Sequence, residues 1–275
     1  MVTQILKESG FRYNKALGQN FITDKNLLEA IVSDSGVKKD DVVVEIGAGA
    51  GTLTEALSRA CKRVYAFEVD ERLRPILDKT LADCDNVDVY FADVLKMGDE
   101  ELKNIIKEPF KLVANLPYYV TTPLIMRFLE SDLPVLSMTV TIQKEVAERL
   151  VAKPGSAEYG AVTVAADYYG NPFITRYIGK EMFFPVPKVD SALLRLDVDK
   201  SKYSVADEKL FKKVVKAAFL WRRKTLANNL QNMFSIPKSQ CENVLNSLGF
   251  SPMIRGEKLS TADFIALSEK IAENG

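Results

Sequence analysis

The feature that most constrains this chain is an alternation running from residue 42 to residue 151. Short apolar runs, VVVEI (42–46), RVYAFEV (63–69), VDVYFAD (87–93), KLVANL (111–116) and a stretch near 135–142, are separated by segments with helical spacing over 52–60, 71–83, 122–130 and 143–151. Runs rich in Val and Ile suit strands buried on both faces of a sheet. Strands that alternate with helices must cross over, which makes them parallel, so the pattern predicts an α/β doubly wound sheet. A helix over 20–36 precedes it: Phe21, Ile22, Leu27, Leu28, Ile31 and Val32 share one face, and Gly36 suits the C-terminus. FITRYIG (173–179) and SALLRLDV (191–198) are close enough in the chain to form an antiparallel edge.

After Asp199 the strand signal stops, and residues 207–220, 222–233, 237–247 and 260–272 read as helices. A domain boundary near 199 follows, with an α/β domain over 1–198 and a small helical domain over 199–275. No apolar run is long enough to cross a bilayer, and the N-terminus lacks a secretion signal, so a cytoplasmic chain is expected. Cys61, Cys84 and Cys241 match no metal-binding spacing, and their odd number argues against a disulfide framework, so reduced thiols and no bound metal are expected. Histidine is absent, which excludes Ser-His and Cys-His catalysis and histidine-ligated zinc.

Net charge is zero, but it is not evenly spread. From Lys200 to Gln231 there are nine basic residues, among them Arg222, Arg223 and Lys224, and only two acids, Asp207 and Glu208. Such a segment is either a solvated helix face or the footprint of a phosphate backbone. Trp221 beside it offers a stacking ring, although its size suits the core of the small domain slightly better.

The turn after the first strand, Glu45-Ile46-Gly47-Ala48-Gly49-Ala50-Gly51, is rich in glycine, which lets backbone approach a ligand closely. Alone it is a weak signal, and a purely structural turn explains it too. In an open parallel sheet, however, ligands bind beyond the carboxyl ends of the strands, and three more polar residues end there. Glu68 ends the second strand and suits ribose hydroxyls, Asp93 ends the third and suits an adenine amino group, and Asn115 ends the fourth. No lysine or arginine lies in the glycine turn, so the ligand inferred is an adenosine without a phosphate requirement. S-adenosylmethionine fits. NAD is the competitor, but its fingerprint needs a small residue where Thr52 stands.

Asn115-Leu116-Pro117-Tyr118 resembles the motif of methyltransferases that modify exocyclic amino groups. The chemistry accounts for each residue. An exocyclic amine is a poor nucleophile because its lone pair is delocalised into the ring. The Asn115 side-chain oxygen and the Leu116 carbonyl can both accept its N–H groups and hold the nitrogen in line with a methyl group. Pro117 aims that carbonyl, and Tyr118 can stack on an extruded base.

The whole chain resembles the small-subunit ribosomal RNA adenine N6,N6-dimethyltransferase family, the KsgA (RsmA) type. The resemblance is carried by Lys15–Phe21 (KALGQNF), EIGAGAGTLT (45–54), NLPYYVTTPL (115–124), FFPVPKVDSALLRL (183–196), RRKTLANNL (222–230) and RGEKLSTADFIAL (255–267). It implies a Rossmann-like class I methyltransferase domain with a helical RNA-binding domain at the C-terminus. It implies cofactor contacts at Gln19, Asn20, Ile22, Gly47, Gly49, Glu68, Asp93 and Asn115. Asn115, Leu116, Pro117 and Tyr118 would form the target-adenine site, with Phe183 or Phe184 clamping the base and Arg222, Arg223 and Lys224 binding RNA. The implied substrate is a pair of adjacent adenosines in the 3′-terminal hairpin loop of 16S rRNA, within an immature 30S subunit, met by a monomeric enzyme. Tyr119 departs from the pattern, which more often has asparagine there. Two other readings share the fold: a 23S rRNA adenine methyltransferase, and a non-catalytic assembly or transcription factor. RRKTLANNL and RGEKLS favour the small-subunit group over the first, and the intact Glu68, Asp93 and NLPY set argues against the second.

Overall fold

The computed structural model describes residue 11, residues 18–22 and residues 24–273. Lys15, Ala16 and Leu17 of the N-terminal motif therefore lie outside the described residues. The chain divides into two compact units, one of residues 1–147 and 171–198 and the other of residues 148–170 and 199–275.

In the first unit, strand β1 (Phe21–Ile22) precedes helix α1 (Lys25–Ser35). Then β2 (Val42–Ile46), β3 (Arg63–Glu68), β4 (Val87–Phe91), β5 (Phe110–Asn115) and β6 (Val135–Gln143) alternate with α2 (Thr52–Ser58), α3 (Arg74–Thr80), α4 (Asp99–Ile105) and α5 (Thr121–Leu129). Helix α6 (Lys144–Leu150) and helix α7 (Ala161–Tyr169) lead to β7 (Gly170–Ile178), β8 (Phe183–Phe184) and β9 (Ser191–Val198). The sheet order is β4-β3-β2-β5-β6-β9-β7. Strands β4, β3, β2, β5 and β6 pair in parallel, and β9 runs antiparallel to β6. All five residues of β2 are buried, as its position at the middle of the sheet requires.

The chain builds outward from β2 to β4 on one side and then returns to add β5 and β6 on the other. The reversal lies between β2 and β5, and a crevice opens there at the carboxyl ends. This position decides where a ligand can bind.

Three expectations need correction. Residues 20–22 are not helical. Asp24 caps α1 by accepting the Leu27 N–H at 2.8 Å, and the preceding Phe21 and Ile22 pair as a strand with Phe184 and Phe183. The apolar spacing continued across the cap because the same residues serve the core in either form. Two helices were also missed. α4 is a single short run, announced only by Gly98 and three acids in its first turn, and α7 is rich in valine, threonine and tyrosine, which favour strands. Finally, residues 148–170 belong with the helical unit rather than with the sheet. Their polar groups are satisfied there: the Tyr159 hydroxyl donates to the Leu259 carbonyl at 2.8 Å, and Asp167 accepts from Lys202 at 2.7 Å and from Thr261 at 2.6 Å. The Tyr168 and Phe211 rings meet at 4.7 Å. No stretch of sequence advertises that a segment from before two sheet strands joins helices that follow them.

The second unit also holds α8 (Glu208–Ala218), α9 (Leu226–Phe234), α10 (Lys238–Ser247) and α11 (Thr261–Glu273). Asp207 and Thr225 cap α8 and α9, accepting from Leu210 N–H at 2.9 Å and Asn228 N–H at 3.4 Å. Among the described residues, no helix is long and apolar enough to cross a membrane.

Candidate functional site

A cavity of about 720 Å³ opens at the reversal between β2 and β5. Every residue expected to contact a cofactor lines it: Gln19, Asn20, Ile22, Gly47, Gly49, Glu68, Asp93 and Asn115. So do Leu116, Pro117 and Tyr118. The glycine turn and the acceptor corner are thus walls of one space. They nearly touch: a methyl carbon placed on Gly47 would lie 3.9 Å from the Asn115 carbonyl oxygen and 3.9 Å from Cδ of Pro117.

The turn after β2 needs glycine for its backbone. Gly47 has φ 78° and Gly49 φ 59°, the left-handed region that side chains disfavour. Its amides are already committed. Gly47 and Ala48 donate to the Phe67 carbonyl at 2.8 and 3.2 Å, and Gly49 donates to Glu68 Oε2 at 2.8 Å. A pyrophosphate cradle presents such N–H groups to its ligand. Here they face strand β3, which agrees with an adenosine ligand lacking phosphates and disfavours NAD.

Glu68 has a second task that the spacing did not reveal. Its Oε1 accepts the N–H groups of Val69 and Asp70 at 2.8 and 2.9 Å, while Oε2 braces the glycine turn. Burial pushes its carboxyl pKa upward, against the pull of these backbone donors. Oε1 is thereby filled, while Oε2 keeps lone-pair capacity for a further donor from a ligand. Asp70 is buried and carries the linkage on: it accepts Gln19 Nε2 at 2.8 Å and pairs with Arg72. The N-terminal segment is thereby tied to the turn that follows β3.

At the end of β5, Asn115 Nδ2 donates to the Asn20 carbonyl at 2.7 Å. A carbonyl partner fixes which end of the amide is nitrogen. The side-chain oxygen is therefore the free end and can accept from a ligand. Leu116 is 2% exposed, its N–H held by the Thr141 carbonyl at 3.2 Å. Tyr118 is half-buried, and its hydroxyl lies 2.8 Å from the Ser191 hydroxyl. Burial raises the pKa of that phenol, which keeps it neutral.

Glu45, quoted above only as part of the glycine motif, lines the cavity from inside the apolar strand β2. It is 1% exposed, and its Oε2 has no hydrogen-bond partner among the described residues. Burial, with the nearby Glu68 charge adding to it, pushes its pKa up to about 8. The signal was legible: an acid within VVVEI has no reason to be there for packing.

The aromatics expected to clamp a base divide. Phe183 is 2% exposed, packs in the core with Phe21, Ile178 and Leu193, and does not line the cavity. Phe184 is half-buried on β8 and does not line the cavity. The cause is pairing with β1, which turns Phe183 inward. In the helical unit, Arg222, Arg223 and Lys224 are exposed in the turn between α8 and α9. The buried Asn229 shapes that turn, its Nδ2 donating to the Ala218 and Trp221 carbonyls at 3.0 and 3.4 Å. Trp221 itself is 46% exposed, contrary to the preference for a core role, because this turn carries it outside the helix packing.

A parallel sheet with one antiparallel strand, β9, set between β6 and the edge strand β7, and with a glycine turn and polar strand ends at its reversal, defines a Rossmann-like S-adenosylmethionine-dependent methyltransferase. Comparison with known proteins narrows the class. A sequence model described as "Ribosomal RNA adenine dimethylase" matches residues 10–273. Ribosomal RNA small subunit methyltransferase A of Geobacillus thermodenitrificans is 45% identical over 98% of this chain and 94% of its own length. The crystal structure of a dimethyladenosine transferase from Plasmodium falciparum superposes with TM-score 0.81 at 25% identity, covering 93% of this chain and 98% of that one. That of the 23S rRNA methyltransferase ErmE has TM-score 0.70 at 24% identity, covering 92% and 99%, and shows a shared fold. The chain belongs to the ribosomal RNA adenine dimethylase family.

Proposed function

We propose that this chain dimethylates N6 of two adjacent adenosines in the 3′-terminal hairpin loop of small-subunit (16S) rRNA, acting as a cytoplasmic monomer on an immature 30S subunit. The observation that carries the chemistry is the orientation of Asn115: its amide nitrogen is spent on the Asn20 carbonyl, and its oxygen is left for a ligand in the same cavity as the glycine turn.

The residues present suit S-adenosylmethionine. Glu68 would take the ribose hydroxyls, Asp93 the adenine amino group, and the Gly47–Gly49 turn, with Gln19, Asn20 and Ile22, would enclose the rest. When bound, the cofactor supplies an electrophilic methyl group. The chain's own part is placement. The Asn115 side-chain oxygen and the Leu116 carbonyl accept the two N–H bonds of the target amine in the first transfer, and one of the two acceptors holds the single N–H that remains in the second. As the C–N bond forms the nitrogen becomes cationic, so both acceptors strengthen in the transition state, which lowers the barrier. The nitrogen grows acidic at the same time and releases its proton to solvent once the bond has formed, so no strong base is needed. Tyr118, anchored by Ser191, presents a fixed face for the extruded adenine. Arg222, Arg223 and Lys224 would neutralise phosphates.

The small-subunit substrate is favoured over the 23S one by the 45% identical relative named for the small subunit. The test is methyl transfer to immature small subunits and, separately, to bare large-subunit rRNA, with mass spectrometry of the rRNA fragments. Dimethylated adenosine pairs in the small-subunit hairpin are expected. Modification only of large-subunit rRNA would overturn the substrate, and no binding of S-adenosylmethionine in calorimetry would overturn the enzyme.

A further inference from the structure

The acceptor corner carries an aromatic that the reading above leaves unused. Tyr119 follows Tyr118 in the short turn Tyr118–Val120 and lines the same cavity, yet it is 59% exposed. Its ring is nevertheless braced. A methyl carbon placed on Gly18 would lie 3.4 Å from Cδ1 and 3.6 Å from Cε1 of Tyr119, and 3.5 Å from Cβ of Pro117. Gly18 has φ 58°, so glycine serves both the turn and the close approach. One flank of the ring therefore rests on backbone while the rest faces solvent at the cavity mouth. Two consecutive tyrosines thus occupy successive depths: Tyr118 inside and anchored to Ser191, Tyr119 outside and open.

We propose that Tyr119 is a second nucleobase platform, on which the base next to the target adenosine stacks while the target lies beside Tyr118. The proposal rests on the adenosine-acceptor reading of this site. Extruding one base takes a stacking partner from its neighbour, and an aromatic at the mouth restores that partner. Stacking on tyrosine tolerates any base, since every base has a π-face. The platform therefore adds affinity without choosing a sequence, which suits two adjacent adenosines that take the inner position in turn. Asparagine, which the family resemblance leads one to expect at 119, cannot stack in this way.

The test compares wild type with Tyr119→Ala, Tyr119→Phe and Tyr119→Trp on immature small subunits at saturating S-adenosylmethionine. Base–aromatic stacking lost on truncation corresponds to a rise in KM for the subunit of roughly five- to 150-fold in Tyr119→Ala, with a smaller change in kcat. Tyr119→Phe and Tyr119→Trp keep KM within a few-fold of wild type, because they keep the ring. The melting temperature and the cofactor Kd stay at wild-type values in all three, since the ring is on the surface. An unchanged KM in Tyr119→Ala overturns the platform while leaving the proposed activity standing. A weakened cofactor Kd assigns the ring to the cofactor instead and also overturns it. Absence of transfer by wild type itself overturns the parent reading and this one together.

Discussion

Replacement of Asn115 tests the chemistry most directly. In Asn115→Ala two things are lost: the 2.7 Å hydrogen bond to the Asn20 carbonyl, and the side-chain oxygen assigned to the amine. The first costs about 0.5–1.5 kcal/mol of stability, as for an ordinary hydrogen bond. The second removes one of two acceptors aimed at developing positive charge, and a loss of that kind costs roughly 10²–10³ in kcat. The Leu116 carbonyl remains, so some rate survives. Cofactor affinity should fall by less than about tenfold, or ~1.4 kcal/mol, because Glu68, Asp93 and the glycine turn are intact. Single-turnover methyl transfer at saturating cofactor, paired with calorimetric binding, separates the two effects. Asn115→Asp sharpens the test. A carboxylate there would set an oxygen against the Asn20 carbonyl oxygen, so the acid must hold a proton to take the place of the amide N–H, and its pKa rises. Its activity relative to wild type should therefore fall as pH increases. Turnover of Asn115→Ala within tenfold of wild type, or an Asp variant fully active at alkaline pH, would refute the reasoning.

Glu45 predicts a pH-dependent stability. Its folded-state pKa is raised from the usual 4.5 to about 8, so ionisation destabilises the fold as pH rises through that window. Glu45→Gln should gain on wild type between pH 4.5 and 8 and hold a constant margin above; melting temperatures across that range check it, and a flat margin would remove Glu45 from the account. Ser191→Ala should lower kcat modestly with cofactor affinity unchanged, since it frees the Tyr118 ring. Tyr118→Phe should do the same, and the double variant should be no worse than either, as a double-mutant cycle would reveal. Charge reversal at Arg222 and Arg223 should weaken rRNA binding and reduce the slope of affinity against salt by about one per lost phosphate contact, read from binding titrations at several ionic strengths.

Much of the site was legible because its chemistry is local. Glu68 and Asn115 end their strands and Asp93 lies two residues beyond the end of β4, and parallel strands bring their ends to one edge whatever the loops do. The glycine turn could be recognised for the same reason: its left-handed residues are a backbone requirement written in residue type. Glu45 was visible as an acid in an apolar strand, and its meaning was missed because burial cannot be measured in a string of letters.

Pairing and packing between distant segments settled the rest. Which of Phe183 and Phe184 turned inward depended on the register of β8 against β1, a two-residue contact spanning more than half the chain. The partner of the Tyr118 hydroxyl came from β9, and the partner that orients the Asn115 amide came from the N-terminal segment. The sequence by itself determined the α/β alternation, the helical C-terminal unit and the identity of the strand-end groups, since these follow from short-range periodicity and residue chemistry. Only the tertiary structure decided that residues 148–170 pack with the helices, that Trp221 and Tyr119 are exposed, and that the Asn115 amide nitrogen is taken by the Asn20 carbonyl. Each of those outcomes depends on contacts between residues far apart in the chain, which no local pattern encodes.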